Sequence, residues 1–418
     1  METLYIEGRK ALNGEIEIAG AKNAILPILA CSIITKKPIY ISKCTLYVDV
    51  LYMLKILEDL GCEIKHDECN VFINPQNANR YFIKEEYTKK VRSSIFMLGP
   101  LLTRFKKAKV AYPGGCNIGS RPIDLHIKGL KELNVKIEEK HGYIICDGEN
   151  MKAGTIHLDF PSVGATENLM MACVCLKGTS VIHNSAREPE IVDLQNFINA
   201  MGGNVKGAGT STIIINGVKN LNGCEYETIR DRIIAGTYAT ACAMAGGEIS
   251  MIGSPYEHNV ALYTKLSQAG CKITRKNNSI QISCKHRLKS VPKIETQPYP
   301  GFPTDLQNQI LTLQTISKGT SVINENLFET RFKIFTELKR MGADIEINNR
   351  SAIVRGVNKL YGAHVVATDL RGGAGLVIAG LSAEGYTTVE DVYHIDRGYK
   401  NIENDLSKLG AEIKRKNE

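Results

Sequence analysis

A short motif recurs six times along the 418-residue chain, at steps of 68 to 73 residues. It consists of an apolar residue, then a residue that is usually glycine, then two further residues and an Ile or Val, as in Leu60-Gly61-Cys62-Glu63-Ile64. The copies begin at Leu60, Leu133, Met201, Ala269, Met341 and Leu409. A second motif, an Ile or Val in a short β-rich run, keeps the same spacing at positions 39, 110, 181, 249, 322 and 389. Two motifs in phase indicate six copies of one unit of about 70 residues.

Each copy predicts the same order of elements. A largely apolar helix comes first, and because it lacks a polar face we expect it to be buried on all sides. A short strand, an amphipathic helix and an antiparallel meander with Gly-containing turns follow. The predicted buried helices span residues 24–34, 94–102, 168–176, 233–245, 306–316 and 374–383. These elements predict an α/β protein with buried helices and outer mixed sheets.

The phase of the repeats also predicts the domains. The sixth copy ends at Ile413-Lys414, after the first strand of its meander, and residues 1–20 hold the segments that are missing. We therefore expect an N-terminal hairpin to complete the C-terminal sheet. Units one to three then form a domain over residues 21–229, which carries Cys116, and units four to six form a domain over residues 1–20 and 230–418.

Composition narrows the possible classes of function. The net charge of +8 is spread along the chain, which favours anionic ligands over nucleic acid. The longest apolar runs are shorter than the roughly 18 residues of a membrane span, and the N-terminus lacks a signal-peptide pattern. Twelve Cys without a Cys-x-x-Cys pair, and nine His without ligand spacing, predict reduced thiols in a cytoplasmic protein and no metal site.

One cysteine lies in a distinctive context. Cys116 is in the glycine-rich stretch 113–124, and Arg121 follows five residues later. A nearby cation favours thiolate over thiol, and glycines let the backbone approach a ligand closely. The stretch fits a reactive loop, although an ordinary surface loop has the same composition.

Polar and charged residues stand at the same phase, just before each buried helix. They are Lys22-Asn23, Arg92-Ser93, residues 162–166, Asp231-Arg232, Thr304-Asp305 and residues 369–371. Helix N-termini attract anions, so these positions predict a phosphate-binding cleft between the two domains. Ordinary helix caps are the alternative, which suits Thr304 and Asp231. Cations at Lys22, Arg92 and Arg371 oppose the helix dipole and favour anion binding.

The motifs around these positions resemble the UDP-N-acetylglucosamine 1-carboxyvinyltransferase family over the whole length and in the family's order. They are residues 19–24, 113–126, 162–166, 187–193, 302–307 and 394–399. The resemblance implies the two-domain inverse α/β barrel of the enolpyruvyl transferases. It also implies transfer of the enolpyruvyl group of phosphoenolpyruvate to the 3′-hydroxyl of UDP-N-acetylglucosamine, the first committed step of bacterial peptidoglycan synthesis. The implied enzyme is cytoplasmic, a monomer or weak homo-oligomer, without cofactor, metal, nucleic-acid or membrane partner.

The resemblance further implies roles for single residues. Cys116 is the expected proton donor, which forms an adduct with phosphoenolpyruvate and is alkylated by fosfomycin, and Asp305 is the expected acceptor of the hydroxyl proton. Lys22, Arg121 and Arg397 hold phosphoenolpyruvate, with Arg92 beside them. The implied sugar-nucleotide contacts are Asn23, Arg121, Pro122, Ile123, Asp124, Leu125, Ser162, Val163, Gly164, Asp305 and Leu327. Arg331 and Arg371 shape the closed site. An aspartate of ordinary pKa is a weak base, so burial or substrate must raise the pKa of Asp305, or Asp305 partly orients the hydroxyl.

Several polar residues have simpler interpretations. Asp124 and His126 either bind ligand or only cap and hydrogen-bond their loop. The acidic residues Glu188, Glu190 and Asp193 are interpreted as a solvated helix start rather than as ligands, because charge runs usually face solvent.

Two other classes of function are compatible with parts of the sequence. A shikimate-type enolpyruvyl transferase or an RNA 3′-terminal cyclase has the same repeat architecture, but neither accounts for Cys116 or the sugar-nucleotide motifs. A non-catalytic protein that binds nucleic acid or anionic polymers fits the basic charge, and predicts affinity that falls steeply with salt. The sequence lacks the aromatic-basic interleaving typical of such proteins.

Overall fold

The six repeats fold into six four-stranded sheets around buried helices, in a computed structural model that describes residues 2–113 and 123–417. The strands in the described residues are β1 (Glu2–Glu7), β2 (Leu12–Glu17), β3 (Ile39–Ser42), β4 (Glu63–His66), β5 (Val71–Asn74), β6 (Phe82–Ile83), β7 (Lys107–Ala111), β8 (Lys136–Lys140), β9 (Tyr143–Asp147), β10 (Thr155–His157), β11 (Thr179–His183), β12 (Val205–Lys206), β13 (Thr212–Asn216), β14 (Glu225–Glu227), β15 (Gly247–Ile252), β16 (Lys272–Lys276), β17 (Ser279–Cys284), β18 (Lys293–Glu295), β19 (Thr320–Asn324), β20 (Asp344–Asn348), β21 (Ser351–Arg355), β22 (His364–Val366), β23 (Tyr386–Glu390) and β24 (Glu412–Asn417).

Each repeat also contributes a buried helix and an amphipathic helix. The helices in the described residues are α1 (Lys22–Ser32), α2 (Val48–Asp59), α3 (Glu85–Thr88), α4 (Leu98–Phe105), α5 (Asp124–Glu132), α6 (Val163–Cys173), α7 (Pro189–Ala200), α8 (Arg232–Ala245), α9 (Val260–Ala269), α10 (Gln307–Gln314), α11 (Ile334–Arg340), α12 (Leu370–Ser382), α13 (Tyr393–Asp396) and α14 (Ile402–Lys408). Short 3-10 turns occur at Arg92–Met97, Tyr256–Asn259, Thr304–Leu306 and Arg331–Lys333.

All six sheets have one topology. An edge strand lies parallel to the short strand of the repeat, and two antiparallel strands complete the sheet. The orders are β14-β3-β5-β4, β6-β7-β9-β8, β10-β11-β13-β12, β2-β15-β17-β16, β18-β19-β21-β20 and β22-β23-β1-β24. The predicted antiparallel meander is therefore right for its first two strands and wrong for its third. The third strand, such as β10 after β8 and β9, belongs to the sheet of the next repeat. There it pairs in parallel with β11, and the buried helix α6 forms the crossover connection that a parallel pair needs.

The two N-terminal strands enter different sheets. β1 lies antiparallel between β23 and β24, where Ile6 is opposite both Thr387 and Ile413, and so completes the sixth sheet as predicted. β2 pairs instead with β15 in the sheet of the fourth repeat, with Ile16 opposite Met251. The predicted N-terminal hairpin is thus wrong. β2 is the parallel edge strand of the sheet that contains β15, just as β14 is the parallel edge strand beside β3.

The chain divides into two compact units. We call residues 20–113 and 123–229 the middle unit, and residues 2–19 and 230–417 the terminal unit. The assignment of three repeats to each of two domains stays a prediction.

The glycine of the first motif ends each amphipathic helix. Gly61, Gly202, Gly270, Gly342, Gly410 and the equivalent Asn134 have φ between 65° and 114°. This left-handed conformation favours glycine and asparagine. The next residue donates its N–H back into the last turn, as from Cys62 to the Leu57 carbonyl over 3.0 Å. The repeated motif is therefore a helix stop signal.

The buried helices form the core of each unit, which confirms this part of the prediction. In α12 every residue from Leu370 to Leu381 is buried, and in α8 every residue from Arg232 to Met244 is buried. Helix α4 packs on α6 in the middle unit, while α8, α10 and α12 pack on one another in the terminal unit. Within residues 2–113 and 123–417, no helix has both the length and the apolar character that a membrane crossing needs.

Candidate active site

The predicted site residues of the middle unit lie where its buried helices begin. Lys22 is the first residue of α1, Arg92 starts the 3-10 turn that leads into α4, and Ser162 precedes α6. The starts of α1, α4 and α6 occupy equivalent positions in three repeats of one topology. The 3-10 turn at Arg92–Met97 contacts both α1 and α6.

Lys22 forms a buried ion pair. Its Nζ lies 2.8 Å from Oδ2 of Asp49 on α2, and the two side chains are 9% and 6% exposed. Asn23, the next residue, is half-buried. A buried ammonium group at a helix N-terminus, fixed by a carboxylate, is suited to binding an anion.

His126 is a neutral hydrogen-bond acceptor in the core. Burial and, secondarily, the Arg92 cation lower the pKa of His126 to about 3. With the imidazole neutral, Nδ1 accepts from the Asn168 amide at 3.0 Å. Asn168 also donates to the Ile95 carbonyl at 3.0 Å and accepts from the Gly99 N–H at 2.6 Å. Of the two interpretations of His126, the structure favours the structural one.

The other predicted contacts of the middle unit lie on α5 and α6. The Ser162 hydroxyl accepts from the Ala165 N–H at 3.4 Å and so caps α6, whose first two residues are Val163 and Gly164. Asp124, which is exposed, and the half-buried Leu125 are the first residues of α5. An open cavity of about 760 Å³ is lined by residues that include Ile123, Asp124, Tyr112 and Lys128. Cys116, Arg121 and Pro122 lie outside the described residues.

In the terminal unit, Asp305 is held between two arginines. Arg331 Nη2 donates to Oδ1 of Asp305, and Arg371 Nη2 donates to Oδ2 over 3.1 Å. The arginine side chains are 3% and 5% exposed, whereas the Asp305 side chain is 27% exposed and accessible to a ligand. Burial raises the pKa of Asp305, but the Arg371 and Arg331 cations outweigh it and hold that pKa well below its usual range. The net pKa of Asp305 is therefore lowered rather than raised, and among the alternatives the geometry favours an orienting carboxylate.

Asp369 and Asp231 cap the helices that follow them, whereas Thr304 does not. Asp369 Oδ1 caps α12 by accepting from the N–H groups of Arg371 and Gly372, both at 3.0 Å. Asp231 caps α8 in the same way, as the cap interpretation predicts. For Thr304 that interpretation is wrong, because its hydroxyl donates to Glu325 Oε2 at 2.9 Å.

The remaining predicted residues of the terminal unit are Arg397 and Leu327. Arg397 follows the short helix α13 and is buried. Leu327 is half-buried, and its N–H donates to Glu325 Oε1 at 2.9 Å. Tyr399 lies two residues after Arg397, and its buried hydroxyl accepts from Arg371 Nη1 at 3.3 Å. Arg371 therefore joins the Asp305 carboxylate to the segment that carries Arg397.

Several buried polar residues were not predicted. Glu188, Glu190 and Asp193 are buried, so their interpretation as a solvated helix start is wrong. Burial raises the pKa of Asp193 to about 6, and its Oδ1 accepts from the Tyr226 hydroxyl at 2.6 Å. Glu167 is fully buried, and neither carboxyl oxygen has a hydrogen-bond partner within the described part of the chain. Burial, together with Glu190 and Glu188, raises the pKa of Glu167 well above its usual range.

Sequence reasoning also missed Asp49 and Glu325 as supports of Lys22 and Thr304. No local signal marks them, because Asp49 lies within α2 and Glu325 directly after β19, outside the segments that they support. In residues 2–113 and 123–417 no group of three or more His, Cys, Asp or Glu is placed to hold a metal ion.

Comparison with known proteins yields relatives over the whole chain. The family model described as EPSP synthase (3-phosphoshikimate 1-carboxyvinyltransferase) matches residues 6–406. UDP-N-acetylglucosamine 1-carboxyvinyltransferase 2 of Caldanaerobacter subterraneus subsp. tengcongensis is 50% identical, over 99% of this chain and 100% of the relative. UDP-N-acetylglucosamine 1-carboxyvinyltransferase 1 of Carboxydothermus hydrogenoformans is 48% identical, over 100% of this chain and 99% of the relative.

Solved structures with lower sequence identity share the fold. The enolpyruvyl transferase NikO from Streptomyces tendae superposes with a TM-score of 0.88 at 20% identity, over 99% of this chain and 98% of that chain. EPSP synthase from Acinetobacter baumannii superposes with a TM-score of 0.77 at 17% identity, over the full length of both chains. The two structures confirm the predicted fold class.

Proposed function

The chain belongs to the UDP-N-acetylglucosamine 1-carboxyvinyltransferase family, and from this membership we propose that it catalyses the reaction that gives the family its name. The enolpyruvyl group of phosphoenolpyruvate is transferred to the 3′-hydroxyl of UDP-N-acetylglucosamine, and phosphate is released. The product is the enolpyruvyl ether with which peptidoglycan synthesis begins.

One observation carries the choice among enolpyruvyl transferases. Relatives named for UDP-N-acetylglucosamine are 44% to 50% identical over nearly the whole chain. EPSP synthase structures share the fold at 17% identity, which carries no information about the acceptor. The shikimate-type alternative is therefore not favoured.

The chemistry requires cations for an anionic substrate. Phosphoenolpyruvate carries a carboxylate and a phosphate, and both are bound best by charge-assisted hydrogen bonds. We assign this task to Lys22, Arg92, Arg121 and Arg397. The burial of Lys22 and its contact with Asp49 support the assignment, because a fixed ammonium group needs little reorganisation to bind an anion.

Asp305 is proposed to orient the acceptor hydroxyl. A carboxylate whose pKa is held low by Arg331 and Arg371 is ionised at neutral pH and can accept a hydrogen bond from the 3′-hydroxyl. It is a weak general base, so it receives the proton only as the oxygen bonds to C2 of phosphoenolpyruvate and becomes acidic. Asn23, the residues 121–125 and 162–164, and Leu327 are proposed to position the sugar nucleotide.

A second proton must reach C3 of phosphoenolpyruvate as the C2–O bond forms. By family resemblance we assign this proton to the thiol of Cys116. The addition yields a tetrahedral intermediate. In the second step a C3 proton returns to the Cys116 thiolate, the bond between C2 and the phosphate oxygen breaks, and the double bond forms again. The departing phosphate takes the proton that Asp305 received. Protons balance over the two steps, and no external oxidant or reductant takes part.

The proposal extends to the setting of the enzyme. The reaction uses two anionic metabolites of the bacterial cytoplasm, which supports a cytoplasmic enzyme. A monomer or weak homo-oligomer is proposed from the family resemblance alone. Sedimentation of the purified protein across a tenfold range of concentration tests the assembly state.

The direct test is release of phosphate from phosphoenolpyruvate. We expect release when UDP-N-acetylglucosamine is present and none when it is omitted or replaced by shikimate 3-phosphate. Incubation with fosfomycin is expected to abolish this activity progressively. Release with shikimate 3-phosphate alone contradicts the proposed acceptor, and full activity after fosfomycin treatment contradicts the part assigned to Cys116.

A further inference from the structure

A fully buried carboxylate, Glu325, joins three segments of the terminal unit. It follows directly after β19 and has no exposed surface. Its Oε1 accepts from the Thr296 hydroxyl at 2.9 Å and from the N–H groups of Leu327 at 2.9 Å and Phe328 at 3.1 Å. Its Oε2 accepts from the Thr304 hydroxyl at 2.9 Å. Glu325 thus has four donors on its two oxygens.

The first of these segments carries Leu327 and Arg331. Beyond the two N–H groups that Glu325 accepts, Asn326 donates its N–H to the Thr296 hydroxyl at 2.9 Å and its side-chain amide to the Thr296 carbonyl at 3.1 Å. The backbone at the start of this segment is therefore determined by Glu325 and Thr296 together.

The second segment carries Asp305. Thr304, which donates to Glu325, is the residue before Asp305, and its carbonyl accepts from Arg331 Nε at 3.3 Å. Arg331 in turn donates to the Asp305 carboxylate. Glu325, Thr304 and Arg331 form a chain of contacts that ends on Asp305.

A carboxylate suits this position for a geometric reason. All four contacts of Glu325 come from donors, and a carboxylate has only acceptor sites, about four in number. Glutamine offers one acceptor oxygen and turns an NH₂ group toward one side of the cluster. Threonine hydroxyls can rotate to adapt, but the N–H groups of Leu327 and Phe328 cannot.

We infer that Glu325 is a positioning residue for the sugar nucleotide, an inference that rests on the proposed function. Through Thr304 it places Asp305, and through the Leu327 N–H it places the segment proposed to contact the nucleotide. It contacts no reacting atom itself. The hydrogen bonds that Glu325 accepts come from Thr296, Thr304, Leu327 and Phe328, none of which is assigned to phosphoenolpyruvate.

The inference predicts an effect on one substrate only. For Glu325→Gln we expect the KM for UDP-N-acetylglucosamine to rise about tenfold or more, and kcat/KM for this substrate to fall by about 10²-fold, the loss that a misplacement of about 1 Å causes. We expect the KM for phosphoenolpyruvate to change less than about twofold, since its ligands are supported elsewhere. A residue that only stabilises the fold gives no such difference between substrates.

Glu337 provides a matched control. It is a buried glutamate of the same unit, and its Oε2 accepts from the Val366 N–H at 3.1 Å. Its hydrogen bond and its ion pair are formed with Val366 and Arg340, not with Asp305, Thr304 or Leu327. Glu337→Gln is expected to lower the melting temperature without changing the ratio of the two KM values.

Two further measurements keep the inference testable. Thr304→Val removes the hydroxyl that donates to Glu325, and it is expected to give the same substrate-selective loss if Glu325→Gln does not fold. Amide hydrogen exchange without substrate is expected to accelerate in residues 326–331 of Glu325→Gln, and to stay unchanged there in Glu337→Gln.

The outcomes separate the inference from the proposed function. If the wild-type protein releases no phosphate with UDP-N-acetylglucosamine, the proposed function fails, and unchanged hydrogen exchange in Glu325→Gln then overturns the placement by Glu325. If the wild-type protein is active but Glu325→Gln alters both KM values equally, or neither, only the inference on Glu325 is overturned.

Discussion

Arg371 donates a hydrogen bond to the Asp305 carboxylate over 3.1 Å, although the two residues lie 66 positions apart in different repeats. Arg331 donates to the other oxygen of the same carboxylate. Because both arginines are buried and Asp305 is partly exposed, one face of the carboxylate is fixed while another stays accessible. The pair explains how a carboxylate near a buried helix start remains ionised: neighbouring cations outweigh the cost of burial.

Asp305→Asn is expected to lower kcat by about 10² to 10⁴-fold, the usual contribution of a positioned proton acceptor. It is also expected to lower the melting temperature, because Arg331 and Arg371 lose the carboxylate that compensates their buried charges. Steady-state kinetics and thermal unfolding measure the two effects. A variant that retains more than a tenth of the wild-type kcat contradicts the part given to Asp305.

Lys22→Gln is expected to raise the KM for phosphoenolpyruvate about 10- to 100-fold, since a hydrogen bond to a charged group contributes about 1.5 to 3 kcal/mol. The KM for UDP-N-acetylglucosamine should change much less. Lys65→Gln is the control, because Lys65 is 72% exposed, pairs with the surface residue Glu63 at 2.8 Å and otherwise lies over the Phe72 ring. Equal effects of the two substitutions would rule out a special part for Lys22.

Neighbouring residues of α6 are predicted to respond in opposite directions. Glu167→Met should stabilise the fold by about 1 to 3 kcal/mol, because it removes a buried carboxyl group without hydrogen-bond partners among the described residues. Asn168→Leu should destabilise the fold by at least that much, because it leaves the Gly99 N–H, the Ile95 carbonyl and His126 Nδ1 without the hydrogen bonds of the Asn168 amide. Denaturant unfolding of both variants measures the difference. Destabilisation by Glu167→Met would indicate that the carboxyl group has a structural part.

Asp193 predicts a pH dependence of stability. Its pKa is raised from 3.8 to about 6 in the fold, so the folded carboxyl group holds its proton more tightly than the unfolded one. The protonated Asp193 carboxyl group therefore stabilises the fold fully below about pH 3.8. As pH rises through about 6 this contribution is lost, and the free energy of unfolding falls by about 3 kcal/mol. The free energy of unfolding of Asp193→Asn, relative to wild type, should therefore increase by up to this amount between pH 4 and 7. Parallel profiles for the two proteins would show that Asp193 does not titrate in this range.

The fold was largely predictable because its repeat motif is a local signal. Helix stops need a left-handed residue, so Gly61 and its equivalents mark the period directly in the sequence. The partner of a strand is not local. β2 and β10 alternate apolar and polar residues as meander strands do, but they pair with β15 and β11 in other sheets. The alternation does not specify this pairing, because it depends on the helices between the repeats.

The sequence identified unusual cations at helix starts, whereas anion binding by them stays a prediction. Lys22 and Arg371 stand at helix N-termini, where a cation is unfavourable, and each proved to be paired with a buried or partly buried carboxylate. Asp49, Glu325 and Tyr399 were not predicted, because supporting residues come from other segments and have no local pattern. Glu188, Glu190 and Asp193 were misjudged because a run of acidic residues usually faces solvent, whereas here the run is buried against the unit.

The most direct measurement is the mass of the product formed from phosphoenolpyruvate and a sugar nucleotide. We expect a species with the mass of UDP-N-acetylglucosamine plus one enolpyruvyl group, formed at the same rate as phosphate and formed far more slowly by Asp305→Asn. The proposed function would be contradicted if this species did not form while shikimate 3-phosphate was converted under the same conditions.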